Sequence, residues 1–189
     1  LIKQLGLNYH EVVWEETISK AAALGAKEFH AQIYGDADTA FNFAKKIYRL
    51  GNSLDIECII KVPLTRSGIS LVPKIKTLGA KTLMTACFEP KQVITACALK
   101  ADYVAPYFGR MLDAGLDAMA NMQIIKKVAR SSKIIPVVAS LRSAKQVLDI
   151  AEIGYDCFTI SPEVARDLFY SKLTDEASSA FEAAAKGIK

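Results

Sequence analysis

The stretch Leu54–Gly68, read as LDIECIIKVPLTRSG, sets one lysine, Lys61, into an otherwise apolar strand that stops at Pro63. A strand covered on both faces reads as a near-continuous apolar run, and Ile56, Cys58, Ile59, Ile60 and Val62 fit that pattern while Lys61 breaks it. Lysine is almost never fully buried without a partner. Two readings follow. In one, desolvation disfavours the ammonium and leaves a neutral amine that can attack a carbonyl and form an imine. In the other, Lys61 sits at the strand mouth and its stem carries the charge to water.

Other residues suited to the same chemistry fall at or just past the ends of further predicted strands: Gln32, Thr85, Tyr107, and Ser140 with Arg142. Imine chemistry must move protons to and from a carbinolamine, and a phenol beside a water held by an amide and a hydroxyl can do this. That assigns Tyr107, Gln32 and Thr85 to proton handling around a Lys61 nucleophile. Arg110 and Arg142 supply two guanidinium forks, which read phosphate through parallel hydrogen bonds, and Ser140 adds a hydroxyl. Each residue also has a plainer reading. Tyr107 could be a core aromatic with its hydroxyl at the rim, Gln32 a satisfied strand-end amide, Arg110 a surface residue at a helix start and Arg142 a charge near a helix cap.

The elements that must position these residues alternate along the chain. Helical periodicity runs from Asn8 to Leu24 on Val12, Val13, Ile18, Ala21, Ala22 and Leu24, and Gly25 ends it. Strands are predicted at Lys27–Tyr34, Leu54–Pro63, Lys81–Phe88, Tyr103–Tyr107, Lys133–Ala139 and Asp156–Ile160. Helices separate them, including one long helix from the end of the fourth strand to about Ser131. A further helix starts at Pro162, and a final one covers Asp175–Lys189. Alternation of this kind makes βαβ units, hence a parallel sheet with right-handed crossovers. No GxGxxG or GxxxxGK[ST] turn follows the first strand, which disfavours an open nucleotide-binding sheet. A closed TIM (β/α)8 barrel is left, with one domain over residues 1–189. Such a barrel needs eight strands and typically about 250 residues. The chain opens on Leu1, and the expectation is that two strands precede it. In such barrels the active site lies at the C-terminal strand ends, where the polar residues above converge.

Composition narrows the function classes. An apolar fraction of 51% with 23% charged residues is that of a globular protein. The net charge of +4 comes without a block of like charges, so it suits anionic small molecules and argues against a nucleic-acid surface. Cys58, Cys87, Cys97 and Cys157 show no CxxC spacing and read as reduced small hydrophobes of a cytoplasmic protein, not as metal ligands. With only His10 and His30 as imidazoles, neither a His-rich metal site nor a metal cofactor is expected. No run approaches the roughly 18 apolar residues that span a membrane, so no membrane partner is expected.

The run Ile59-Ile60-Lys61-Val62-Pro63-Leu64-Thr65 resembles the Schiff-base strand of the transaldolase and fructose-6-phosphate aldolase family. The likeness extends through Ala31-Gln32, Lys81–Ala86, Asp102–Arg110, Ala139–Arg142 and Lys172–Asp175. The resemblance implies a TIM barrel with an extra C-terminal helix, two strands upstream of the first helix here, and a cofactor-free enzyme of carbohydrate metabolism acting on sugar phosphates. It implies that Lys61 forms the imine and that Arg110, Ser140 and Arg142 grip the phosphate. Transaldolases proper carry glutamate where this chain has Gln32 and phenylalanine where it has Tyr107. The fructose-6-phosphate aldolases carry glutamine and tyrosine. The expected activity is therefore a class I aldolase joining dihydroxyacetone and glyceraldehyde 3-phosphate. The alternatives are a transaldolase of the pentose phosphate pathway and a non-catalytic partial barrel. The extra helix suggests a homo-oligomer. Departures from the family are His30, where phenylalanine is common in the aldolases, and Met111-Leu112-Asp113, where aspartates often follow the arginine.

Overall fold

The computed structural model describes residue 6 and residues 8–187; the expected features at Leu1 and the last two positions of the predicted final helix lie outside these. A short 3-10 turn at Tyr9–Glu11 leads to α1 (Trp14–Ala23), β1 (Glu28–Gln32) and α2 (Ala37–Ser53). Then come β2 (Glu57–Pro63), α3 (Arg66–Lys76), β3 (Thr82–Cys87), α4 (Pro90–Ala98) and β4 (Tyr103–Pro106). The chain continues through α5 (Phe108–Asp113), α6 (Ala118–Ser132), β5 (Ile135–Pro136), α7 (Ala144–Glu152), α8 (Pro162–Phe169) and α9 (Lys172–Ala185). The five strands pair in parallel in the order β1-β2-β3-β4-β5, an α/β arc in which each crossover carries helix.

The alternation of side chains along each strand divides the sheet into two faces. One face, with Ala31, Ile60, Val62, Met84 and Val104, packs under the helices through Ala44, Ile47, Val72, Ile75, Val93, Met122 and Ile125. The other carries a smaller cluster of Ile59, Leu83, Tyr103, Ala105, Val137 and Ala139, with Tyr107 and Cys157 against it. This second face is the one that carries Lys61.

Helix starts follow the strand ends because polar side chains cap them. The Asp36 carboxylate accepts from the Thr39 amide at 2.8 Å and the Thr65 hydroxyl from the Gly68 amide at 3.1 Å. Ser143, Ser161 and Ser171 cap α7, α8 and α9 in the same way. Gly68 must lack a side chain, since a Cβ there would lie 2.1 Å from the Pro63 carbonyl oxygen. The turn leaving the lysine strand is therefore closed by backbone against backbone.

Four readings from the sequence change in the structure. The predicted sixth strand is a single bridge, Val138 with Phe158, flanked by hydrogen bonds of 2.9 Å from Val138 N to Cys157 O and from Thr159 N to Val138 O. The fifth strand is only Ile135–Pro136, and Pro136 lacks the N–H that would face the sixth strand, on the side where Val138 donates. Its extended path nevertheless continues, with Val137 and Ala139 amides bonding the Val104 and Pro106 carbonyls at 2.8 Å. The long helix after β4 is two helices broken at Gly115, whose φ is +68°. In α1 the buried residues are Trp14 and Ile18, whereas Val13 and Leu24 face solvent. Trp14 wins because it stacks edge-on with Tyr9 and Phe43, at centroid distances of 4.9 and 5.2 Å.

Candidate active site

Register sets the neighbours of Lys61. Gln32 of β1 lies directly opposite it on one side and Leu83 of β3 on the other. Ile59, Leu83 and Ala105 form the apolar layer beneath, all but excluded from solvent. Lys61 itself is half-buried at the top of this layer. Among the described residues it makes no ion pair, so no carboxylate ties up its amine.

Thr85 stands above Leu83 on the same face by the alternation of the strand, and the β3–β4 register slips between Met84 and Cys87. Ala86 takes up the irregularity at a φ of +58°. The bulge turns Cys87 to the helix side, two residues past the inward-facing Thr85. Thr85 is 1% exposed, and its hydroxyl shares a 2.8 Å hydrogen bond with the Tyr107 hydroxyl. The phenol is thus held at the C-terminal end of β4 by a buried partner. Phe88 packs edge-on against the same ring at 5.7 Å.

Gln32 ends β1 with its side chain exposed, and its carbonyl accepts from the Tyr9 hydroxyl at 2.6 Å. Burial pushes the Tyr9 phenol up to about 12, opposed by that hydrogen bond and assisted by nearby Tyr34. Tyr9 was not legible as a site residue, since its contact spans 23 positions. Tyr9, His10, Gln32, Ile33 and Tyr34 line a cleft of about 320 Å³ on this side.

On the far side the loop after β5 folds against the start of α5. Gly109 makes this approach possible: a Cβ there would lie 2.1 Å from the Ser140 carbonyl oxygen, 3.2 Å from its Oγ and 3.3 Å from Arg142 Nε. Ser140 itself is left-handed, at a φ of +64°. Arg110 follows Gly109 and lies over the Tyr107 ring at 5.1 Å, within cation–π range. Arg142 pairs both terminal nitrogens with the Asp113 carboxylate, Nη1 to Oδ1 at 2.7 Å and Nη2 to Oδ2. Arg142, and to a lesser degree Arg110, hold the Asp113 carboxyl below the usual carboxylate range. The two arginines and Ser140 therefore share one neighbourhood. A cleft of about 580 Å³ opens beside Ser140, lined by Leu141, Thr159, Ser161 and Ala165.

One polar group on the Lys61 face was not anticipated. Below Lys61 the Glu28 carboxylate accepts from the Tyr103 hydroxyl at 2.6 Å and lies 3.1 Å from His30 Nε2. Burial works to raise the Glu28 carboxyl, but Tyr103, His30 and Lys81 outweigh it and the net shift is downward. Burial lowers His30, Glu28 opposes, and nearby Lys61 adds to the lowering. The neutral form of His30 is thus favoured beneath the lysine, at the position noted above as a departure from the family's phenylalanine.

Residues 4–188 match the Transaldolase/Fructose-6-phosphate aldolase family. The chain belongs to this family. A "Probable transaldolase" of Coprothermobacter proteolyticus is 34% identical over 179 residues, 93% of this chain and 78% of that protein. A "Probable transaldolase" of Methanococcus maripaludis is 30% identical over 183 residues, 96% of this chain and 81% of that protein. Among solved structures, a mandelate oxidase variant superposes with a TM-score of 0.57 at 12% identity, over 76% of this chain and 51% of that one, a likeness of fold alone. As a transaldolase-family member the chain is an enzyme of the aldolase and transferase type in carbohydrate metabolism. No helix among the described residues is long and apolar enough to cross a membrane.

Proposed function

We propose that this transaldolase-family member is a class I aldolase that cleaves and forms fructose 6-phosphate through an imine on Lys61. The observation that carries the reading is the pairing of Gln32 with Lys61 across β1 and β2, beside a Tyr107 phenol held by Thr85 at 2.8 Å. Attack of the Lys61 amine on the ketose C2 carbonyl gives a carbinolamine, and loss of its hydroxyl as water gives the iminium. The C3–C4 bond then breaks as the C4 hydroxyl loses its proton, releasing glyceraldehyde 3-phosphate and leaving an enamine of dihydroxyacetone. Protonation at C3 and hydrolysis of the resulting iminium free the ketone and restore the amine. Tyr107 serves as the acid and base for these transfers, Thr85 orients its hydroxyl, and the Gln32 amide orients a water. Arg110, Ser140 and Arg142 grip the phosphate, and that binding holds the scissile bond over Lys61.

A second reading is favoured by the names of the relatives, both "Probable transaldolase". In it the enamine on Lys61 passes to an aldehyde acceptor instead of being protonated and hydrolysed. Incubation with fructose 6-phosphate alone separates the two. Release of free dihydroxyacetone supports the aldolase, and strict dependence on an added aldose phosphate supports the transferase. A homo-oligomer accords with α9, where Leu173 and Phe181 are 76% and 73% exposed, and light scattering tests it.

A further inference from the structure

Asp113 sits in the guanidinium fork that a phosphate would use. Arg142 offers five N–H donors, and its two terminal nitrogens are both directed at the Asp113 oxygens. Its Nε lies beside Gly109. A carboxylate in the fork has the same parallel two-bond geometry that a phosphate takes there. Both side chains are 53% exposed, so the pair is screened and weak, and the carboxylate can move into water when it leaves. Arg110 also acts on Asp113, so two cations and one anion meet at this point. At equal distance a dianion is attracted to the two guanidiniums about twice as strongly as a single carboxylate facing the same pair.

We propose that Asp113 is an affinity-setting residue: it occupies the Arg142 fork before phosphate arrives and must be exchanged for the phosphate on binding. The inference rests on the reading of Arg110, Ser140 and Arg142 as the phosphate grip. It adds a counter-ion that competes with the substrate. Neutralising it removes the competitor, so phosphate affinity rises by about two- to five-fold, the range typical of an exposed pair.

The test titrates inorganic phosphate, by calorimetry at low ionic strength, into the wild-type protein and the Asp113→Asn, Asp113→Glu and Arg142→Ala variants, each checked for folding by a thermal melt. Asp113→Asn is expected to bind phosphate about two- to five-fold more tightly, and to lower KM for fructose 6-phosphate by a similar factor, with the change in KM and not in kcat. Asp113→Glu, which keeps the charge, is expected to return towards the wild type, and Arg142→Ala to lose binding. Unchanged or weaker binding in Asp113→Asn, with Arg142→Ala still defective, overturns the counter-ion and leaves the grip standing. Wild-type binding by Arg142→Ala overturns the grip, and the proposal with it.

Discussion

Substituting Gly109 by alanine tests how closely the start of α5 and the Ser140–Arg142 loop, the two halves of the proposed phosphate grip, are pressed together. The added Cβ would meet the Ser140 carbonyl oxygen at 2.1 Å, so reaching an ordinary 3.4 Å contact requires the backbones to part by about 1.3 Å. Neither side can yield through a side-chain rotation, because the struck atom is backbone. The loop is also tied to α5 by the Tyr107–Ala139 bridge and by the Phe108 amide bonding the Ala139 carbonyl at 3.0 Å. Overpacking of this kind costs about 1–3 kcal/mol, and a backbone obstacle puts it at the upper end. The functional effect is larger, since a displacement of about 1 Å in positioning groups costs on the order of 10²-fold in rate. Urea unfolding and kcat/KM for fructose 6-phosphate are the assays. A Gly109→Ala protein with wild-type stability and wild-type kcat/KM would refute the close approach and the proposed phosphate grip built on it.

Three further outcomes follow from the same geometry. Tyr107→Phe leaves the buried Thr85 hydroxyl without its 2.8 Å partner, which should cost about 1–3 kcal/mol in urea unfolding. Its kcat should also fall by about 10²–10⁴-fold if the phenol carries the proton, and a fully active Tyr107→Phe would remove it from that role. The lowered His30 means that the unfolded chain protonates first, so stability should fall as pH drops from about 6.5, the unfolded value, towards the folded one, and level off below it. Thermal melts in that window should show the loss, His30→Phe should flatten it, and a wild type that grows more stable on acidification would contradict it. The lowered Glu28 adds a separate loss at more acid pH, as the carboxylate that accepts from Tyr103 is protonated, and Glu28→Gln should remove that step.

The lysine strand was legible because one charge in an apolar run is a local signal, and the structure places Lys61 at the top of the Ile59 and Leu83 layer. Helix stops at Gly25, Gly79 and Gly154 were legible for a similar reason, each having a φ above +80°. Gly115 was passed over because apolar residues continue at helical spacing on both sides of it. The sixth strand dwindled to one bridge because pairing depends on what lies across the sheet, which periodicity does not report. The site residues missed by pattern are those joined across long separations. Glu28 and Tyr103 are 75 positions apart and Asp113 and Arg142 are 29 apart, so nothing local marks either pair. Gly109 looked like part of a motif, but its purpose appears only when the Ser140 loop is laid against it.

The central claim is that the Lys61 amine becomes covalently joined to the substrate carbonyl. Borohydride reduction in the presence of dihydroxyacetone, followed by peptide mass mapping, measures this directly. The account predicts one stable adduct on Lys61 in the wild-type protein and none in Lys61→Met. An adduct on a different lysine, or undiminished trapping in Lys61→Met, would contradict it.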